Sequence, residues 1–190
     1  MKKQLTFLAG ALLLAGSLSS QAAIVVLDFE DLPGSGTMPN GYHGLIDWEA
    51  GVWNHYDSAQ SPYTPHSGVE RTYQTTADTT PSWTFLTPVV FDGAWWSGES
   101  NASAQYNLYD ASNTLVATSG TVFGSSTPTW LASGYSGLVS RVEVLTPQAD
   151  YIVMDDLTYE TTAPVPEPGT YALLAVGIAG LVLRKRMARN

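Results

Sequence analysis

The stretch Val139-Ser140-Arg141-Val142-Glu143-Val144-Leu145-Thr146, the break Pro147-Gln148-Ala149-Asp150, and the run Tyr151-Ile152-Val153-Met154-Asp155-Asp156-Leu157-Thr158-Tyr159 decide the fold. The first segment sets Ser140, Val142 and Val144 against Val139, Arg141, Glu143 and Leu145, the two-residue period of a strand with two unlike faces. β-Branched and aromatic residues crowd the last run, and the four residues between are turn formers. Upstream, residues 104–109 lead through Asp110-Ala111-Ser112-Asn113 into 114–118, the pattern of a hairpin, and 122–131 reads as further hairpin strand. Segments 83–86 and 89–95 read as two strands parted by Thr87-Pro88, because proline interrupts a ladder. The apolar run 24–29 is stopped by Leu32-Pro33-Gly34-Ser35-Gly36. Residues 33–82 read as long loops with short strands near 46–53 and 69–75. Short strands at this spacing, with no sustained helical period between the chain ends, predict an all-β fold, an antiparallel two-sheet sandwich over residues 23–160.

Charge is segregated along the chain. Of eight basic residues, Lys2 and Lys3 open it and Arg184, Lys185, Arg186 and Arg189 close it. Between residues 24 and 163, sixteen acids face only Arg71 and Arg141, a net charge of −14. Such a body repels phosphate backbones and anionic headgroups, so nucleic acid is not an expected partner. With no Cys in the chain, disulfides, thiolate catalysis and Cys-ligated metals are excluded.

Residues 1–22 carry the three parts of a signal peptide: a basic start, an apolar stretch, and small residues at Ser20 and Ala22 ahead of the cut. At the other end, Val165-Pro166-Glu167-Pro168-Gly169-Thr170 is followed by an apolar run over 171–183 and then by Arg184-Lys185-Arg186. The prolines forbid helix and hold the box extended within the linker 161–170. Thirteen apolar residues, at about 1.5 Å each in a helix, fall short of a hydrocarbon core of about 30 Å. Within the segment 171–190, read as a short membrane helix and basic tail, the cations Arg184, Lys185 and Arg186 mark the cytoplasmic side and place the body outside.

This order of parts resembles the PEP-CTERM sorting signal of exported proteins in Gram-negative bacteria. The resemblance implies that Val165, Pro166, Glu167 and Pro168 form a box recognised by an exosortase-type processing enzyme. It also implies a short transmembrane helix that holds the chain transiently in the inner membrane, before delivery to the cell surface or extracellular matrix. The family is associated with exopolysaccharide and biofilm formation, which makes exopolysaccharide an implied partner.

Within the body, Asp28, Glu30, Asp155 and Asp156 lie at the ends of the first and last strands. If those strands are neighbours, the carboxylates can converge in the oxygen-rich manner that suits calcium. The body here loosely resembles jelly-roll carbohydrate-binding modules, in which acids from terminal strands hold a structural calcium ion; the resemblance implies Ca2+ as a cofactor. Seven aromatics, Trp48, Trp53, Tyr56, Tyr63, Tyr73, Trp95 and Trp96, crowd the loop-rich half. Flat rings suit the apolar faces of sugars, and Trp48, Trp53, Trp95 and Trp96 are the expected platform. Adjacent Trp95 and Trp96 must point to opposite faces, so at most one is core. His43, His55 and His66 belong to no metal signature and read as exposed loop residues.

No nucleophile elbow or phosphate loop occurs. The leading expectation is an exported structural or polysaccharide-associated component without catalytic activity. One alternative is a small glycan hydrolase or lyase, which needs two carboxylates among Asp47, Glu49, Asp57, Asp92 and Glu99 to face each other across a cleft. Another is a permanently membrane-anchored surface protein.

Overall fold

A computed structural model describes residues 22–75, 80–148 and 151–162, and residues 22–162 form one compact unit. The expected signal peptide, sorting box, short transmembrane helix and basic tail lie outside the described residues. Eleven strands make up this unit: β1 (Ile24–Leu27), β2 (Gly36–Thr37), β3 (Ile46–Trp48), β4 (Trp53–Tyr56), β5 (Arg71–Gln74), β6 (Ser82–Gly98), β7 (Ser103–Tyr109), β8 (Leu115–Phe123), β9 (Thr129–Ala132), β10 (Leu138–Leu145) and β11 (Ile152–Thr161). The all-β, antiparallel reading holds, and among the described residues no helix is long and apolar enough to cross a membrane.

The strands are hydrogen-bonded as one sheet rather than two, in the order β2-β4-β5-β11-β6-β10-β7-β8, with β1 on β11 and both β3 and β9 on β6. The joint is β6. The two strands expected on either side of Thr87-Pro88 are one, because the proline sits where the ladder lapses: Thr84 pairs with Arg141 and the next pair along β10 is Val89 with Val139. Four residues of β6 thus face Ser140 alone. A straight strand would carry Phe91 about 26 Å from Trp83, yet their ring centroids are 5.9 Å apart. β6 therefore bends at 85–88, and its two halves send side chains into one core. The same irregularity moves Val139 to the inner face with Val142 and Val144, all fully buried, against the simple alternation read from the sequence.

Trp83 centres the core. Trp48 and Trp53 lie 5.6 Å from it, and Phe91 and Tyr106 complete the ring of neighbours. The terminal strands are neighbours, with Ile24 opposite Glu160 and Leu27 opposite Leu157. This register sets the end of β1 beside the Asp155-Asp156 step of β11, where the ladder to β6 shifts and Asp156 takes a left-handed φ of 47°.

Candidate functional site

β4 and β5 pair with Tyr56 opposite Arg71 and Asn54 opposite Tyr73. Alternation buries Trp53 and His55 and turns Tyr56 outward; on β5 it turns Tyr73 to the same side. As diagonal neighbours across the pair, Tyr56 and Tyr73 meet edge to face with centroids 5.1 Å apart. Together with Ser35, Gln60, Tyr63 and Val153 they line a cleft of about 280 Å³ that, among the described residues, has no charged side chain in its lining. In a body of net charge −14 that neutrality is selective.

Gln60 and Tyr63 reach the cleft from the loop 57–70, which joins β4 to β5. Exposed loops with little apolar packing are usually mobile; this one is fastened along its length by polar groups. Arg71, only 1 % exposed, donates from Nη1 to Val69 O at 2.7 Å and from Nη2 to Ser58 O, so one guanidinium ties both ends. Its Cζ also lies 3.8 Å from the Tyr56 ring centroid, a cation–π contact beneath the cleft. Ser97 Oγ donates to Thr64 O at 2.5 Å. Asp155 Oδ2 accepts the backbone N–H of His66 at 2.7 Å and of Ser67 at 2.9 Å, and its Oδ1 accepts Asp156 N–H. Asp156 Oδ1 accepts Ser67 Oγ–H at 2.8 Å, and its Oδ2 lies 2.5 Å from His66 Nδ1. Glu30 Oε1 accepts the amides of Val69 and Glu70, both at 2.7 Å. Gly68 is the price of that last clamp: with φ at +48°, any Cβ there would sit 2.1 Å from the Glu30 carboxyl.

Asp155 is almost wholly buried, and burial pushes its carboxyl up to about 7 against the opposing pull of the Ser67 amide. Burial also raises Glu70, whose carboxylate lies 3.5 Å from the His55 ring beneath β4 and β5.

Three of the four proposed calcium ligands are thus brought to one place, but onto N–H and O–H donors. Glu30, Asp155 and Asp156 converge on a single loop, and each is occupied with its amides, a hydroxyl or an imidazole. Asp28 is exposed and accepts Glu30 N–H. Among the described residues no three His, Asp or Glu side chains are grouped to hold a metal ion.

The tryptophan platform needs correction. Trp48, Trp53 and Trp96 are 2–3 % exposed and packed against other rings, because the bend of β6 needs large apolar volume at its centre. Trp95 points the other way, as the alternation required, but its indole is covered by His66 at 3.7 Å and packs on Trp130. The tyrosines of the same aromatic set, not its tryptophans, line the cleft. His43 and His66 are exposed loop residues, as read, whereas His55 is buried in β4; each of the three faces a carboxylate, of Asp31, Asp156 and Glu70 respectively. Asp47, Glu49, Asp57, Asp92 and Glu99 line neither this cleft nor a second one beside β1, which is bounded by Asp28, Asp31, Tyr42, His43 and apolar residues.

Residues 164–186 match the PEP-CTERM protein-sorting motif. The chain therefore carries the signal of an exported protein sorted through the membrane to the cell surface and processed by an exosortase. No curated protein matches the chain. Among solved structures, it is similar to a DUF4465 family protein from Bacteroides caccae ATCC 43185, at 13 % identity and a TM-score of 0.55, over 72 % of this chain and 98 % of that one. At that identity the likeness is one of fold. A mutant of CBM29-2, a family 29 carbohydrate binding module, aligns at 10 % identity and a TM-score of 0.44, over 76 % of this chain and all of that one.

Proposed function

We propose that this protein is a surface-delivered, non-catalytic polysaccharide-binding component that takes a neutral sugar chain into the tyrosine cleft. The observation that carries this reading is the cleft itself. Three phenol rings, an amide and a hydroxyl line it, no charged side chain among the described residues lines it, and its wall is held by tethers from four separate elements. Tyrosine offers a flat apolar face with a polar tip, the combination that suits a sugar ring. A wall fixed before binding avoids the ordering cost that weakens loop-borne sites. Charge selects the class of polymer: uronate and phosphate chains meet a strongly acidic body, whereas neutral chains do not. The sorting motif supports the location, since a chain delivered to the surface meets exopolysaccharide there.

Gel retardation tests the reading. The full chain should be slowed in native gels containing the producer's own exopolysaccharide or a neutral glucan or mannan, and not in gels containing alginate or polygalacturonate. Equal mobility in every gel would remove the polysaccharide reading. Preferential retardation by the uronates would overturn the assignment of class.

A further inference from the structure

The tyrosine cleft lies at one end of a row of side chains that crosses five strands. Directly opposed residues of an antiparallel pair share a face. Tyr56 opposes Arg71, and the pairing of Met154 with Thr72 carries Arg71 on to Asp155. Asp155 opposes Trp95, and Trp95 opposes Trp130. The row therefore runs Tyr56, Arg71, Asp155, Trp95, Trp130 across β4, β5, β11, β6 and β9, with aromatic rings at both ends.

The loop 57–70 lies over the middle of this row and leaves its ends open. Arg71 and Asp155 hold the loop there, and His66 covers Trp95. At the far end Trp130 is half-buried, while its neighbour Leu131 turns into the core opposite Ala94. The indole sits close against the β6 backbone because Gly93 has no side chain: a Cβ there would meet Trp130 Cζ2 at 2.9 Å. Its edge-to-face contact is with Trp95, ring centroids 5.7 Å apart. Its N–H is not buried and donates to none of the described residues. The surroundings match the cleft in charge, since residues 111–140 carry no charged side chain.

We infer that Trp130 is a second stacking subsite for the neutral polysaccharide that enters the cleft. The inference rests on the cleft reading and extends it from one contact to two on the same polymer. Strands lie about 4.8 Å apart, so Trp130 stands about 19 Å from Tyr56 along the row. It stands about 10 Å from Val153, where the cleft reaches β11. A short oligosaccharide fills the cleft alone; a longer chain passes over the loop and reaches the indole. An indole offers a broad flat apolar face, and its N–H can donate to a sugar hydroxyl. Two contacts on one chain reinforce each other through effective concentration, so the pair selects polymers over fragments. The fastened loop also fixes the spacing between the two contacts.

Isothermal titration calorimetry of the full chain against a ladder of oligosaccharides, from disaccharide to octasaccharide, cut from a neutral glucan or mannan tests the subsite. Wild-type affinity should rise about tenfold once the sugar is long enough to reach β9. Trp130→Leu keeps apolar packing on Trp95 without a flat ring. It should bind the shortest oligosaccharides as the wild type does and lose the tenfold rise, whereas Trp130→Phe should keep most of it. No rise with length in the wild type, an undiminished rise in Trp130→Leu, or a Phe variant no better than the Leu variant would each overturn the subsite. In those three cases short oligosaccharides still bind, and the cleft reading stands. An equal loss at every length would overturn it too, since Trp130 would then act through the fold. Absence of binding at every length would remove the cleft reading, and the subsite with it.

Discussion

The imidazole of His66 lies flat on the indole of Trp95, ring centroids 3.7 Å apart and planes 7° from parallel. The contact joins the loop 57–70 to β6, and Asp156 holds the other side of the ring through Nδ1. A loop that would otherwise fray is thereby pinned to the most central strand of the sheet, and with it the Gln60 and Tyr63 wall of the cleft.

Asp156→Asn should release that pin without emptying the core. His66 is 37 % open to water, so the exchange should cost only about 1 kcal/mol in urea unfolding. Trp95 fluorescence should alter as the stacked ring departs, while the His66 and Ser67 amides keep their Asp155 acceptor. Unchanged Trp95 fluorescence would remove the clamp role.

Stability should fall as pH rises through neutrality. The Asp155 carboxyl holds its proton in the fold to about 7, against an ordinary 3.8 in the unfolded chain. Between those values the folded state binds more protons, so the stabilisation is complete below the lower one and is lost as pH climbs through the upper. The slope cannot exceed about 1.4 kcal/mol per pH unit from one group. Urea midpoints measured from pH 4 to 8 should show the decline, and Asp155→Asn should flatten it. Asp31 acts in the opposite sense at the acidic end: the Tyr42 hydroxyl and nearby His43 hold its carboxyl low, so its contribution is lost as pH falls.

Chelation should leave the protein unchanged. Glu30, Asp155 and Asp156 are committed to N–H and O–H donors, so removing divalent ions with excess EDTA should not shift the melting temperature. A fall of several degrees that added calcium reverses would show these carboxylates to be ligands after all.

Strands were legible where one face is buried and the other wet. β7 and β11 follow the segments quoted from the sequence, and the terminal strands pair, the condition under which their acids could converge. β6 was not legible as one strand. Its Pro88 reads as a stop, and only the ladder to β10 reveals that residues 85–88 need no partner there. β8 likewise runs on through Ser119-Gly120, where the Ser119 hydroxyl accepts the Tyr106 amide and replaces a ladder bond. Within the aromatic set, composition pointed to the right residues but not to their division. Indoles filled the space inside the bend of β6, while phenols alternated outward on β4 and β5. The tethers were beyond reach for a simpler reason: His66 and Asp156 stand ninety positions apart, and nothing local to either records the other.

The cleft is tested most directly by isothermal titration calorimetry of the full chain against oligosaccharides cut from a neutral polymer that retards it. Tyr63→Ala and Tyr73→Ala should each weaken binding about tenfold, the loss of one stacked ring, while Leu86→Ala, exposed and outside the cleft, should leave affinity unchanged. Wild-type affinity in both tyrosine variants, or loss of binding confined to Leu86→Ala, would contradict a tyrosine-lined sugar site.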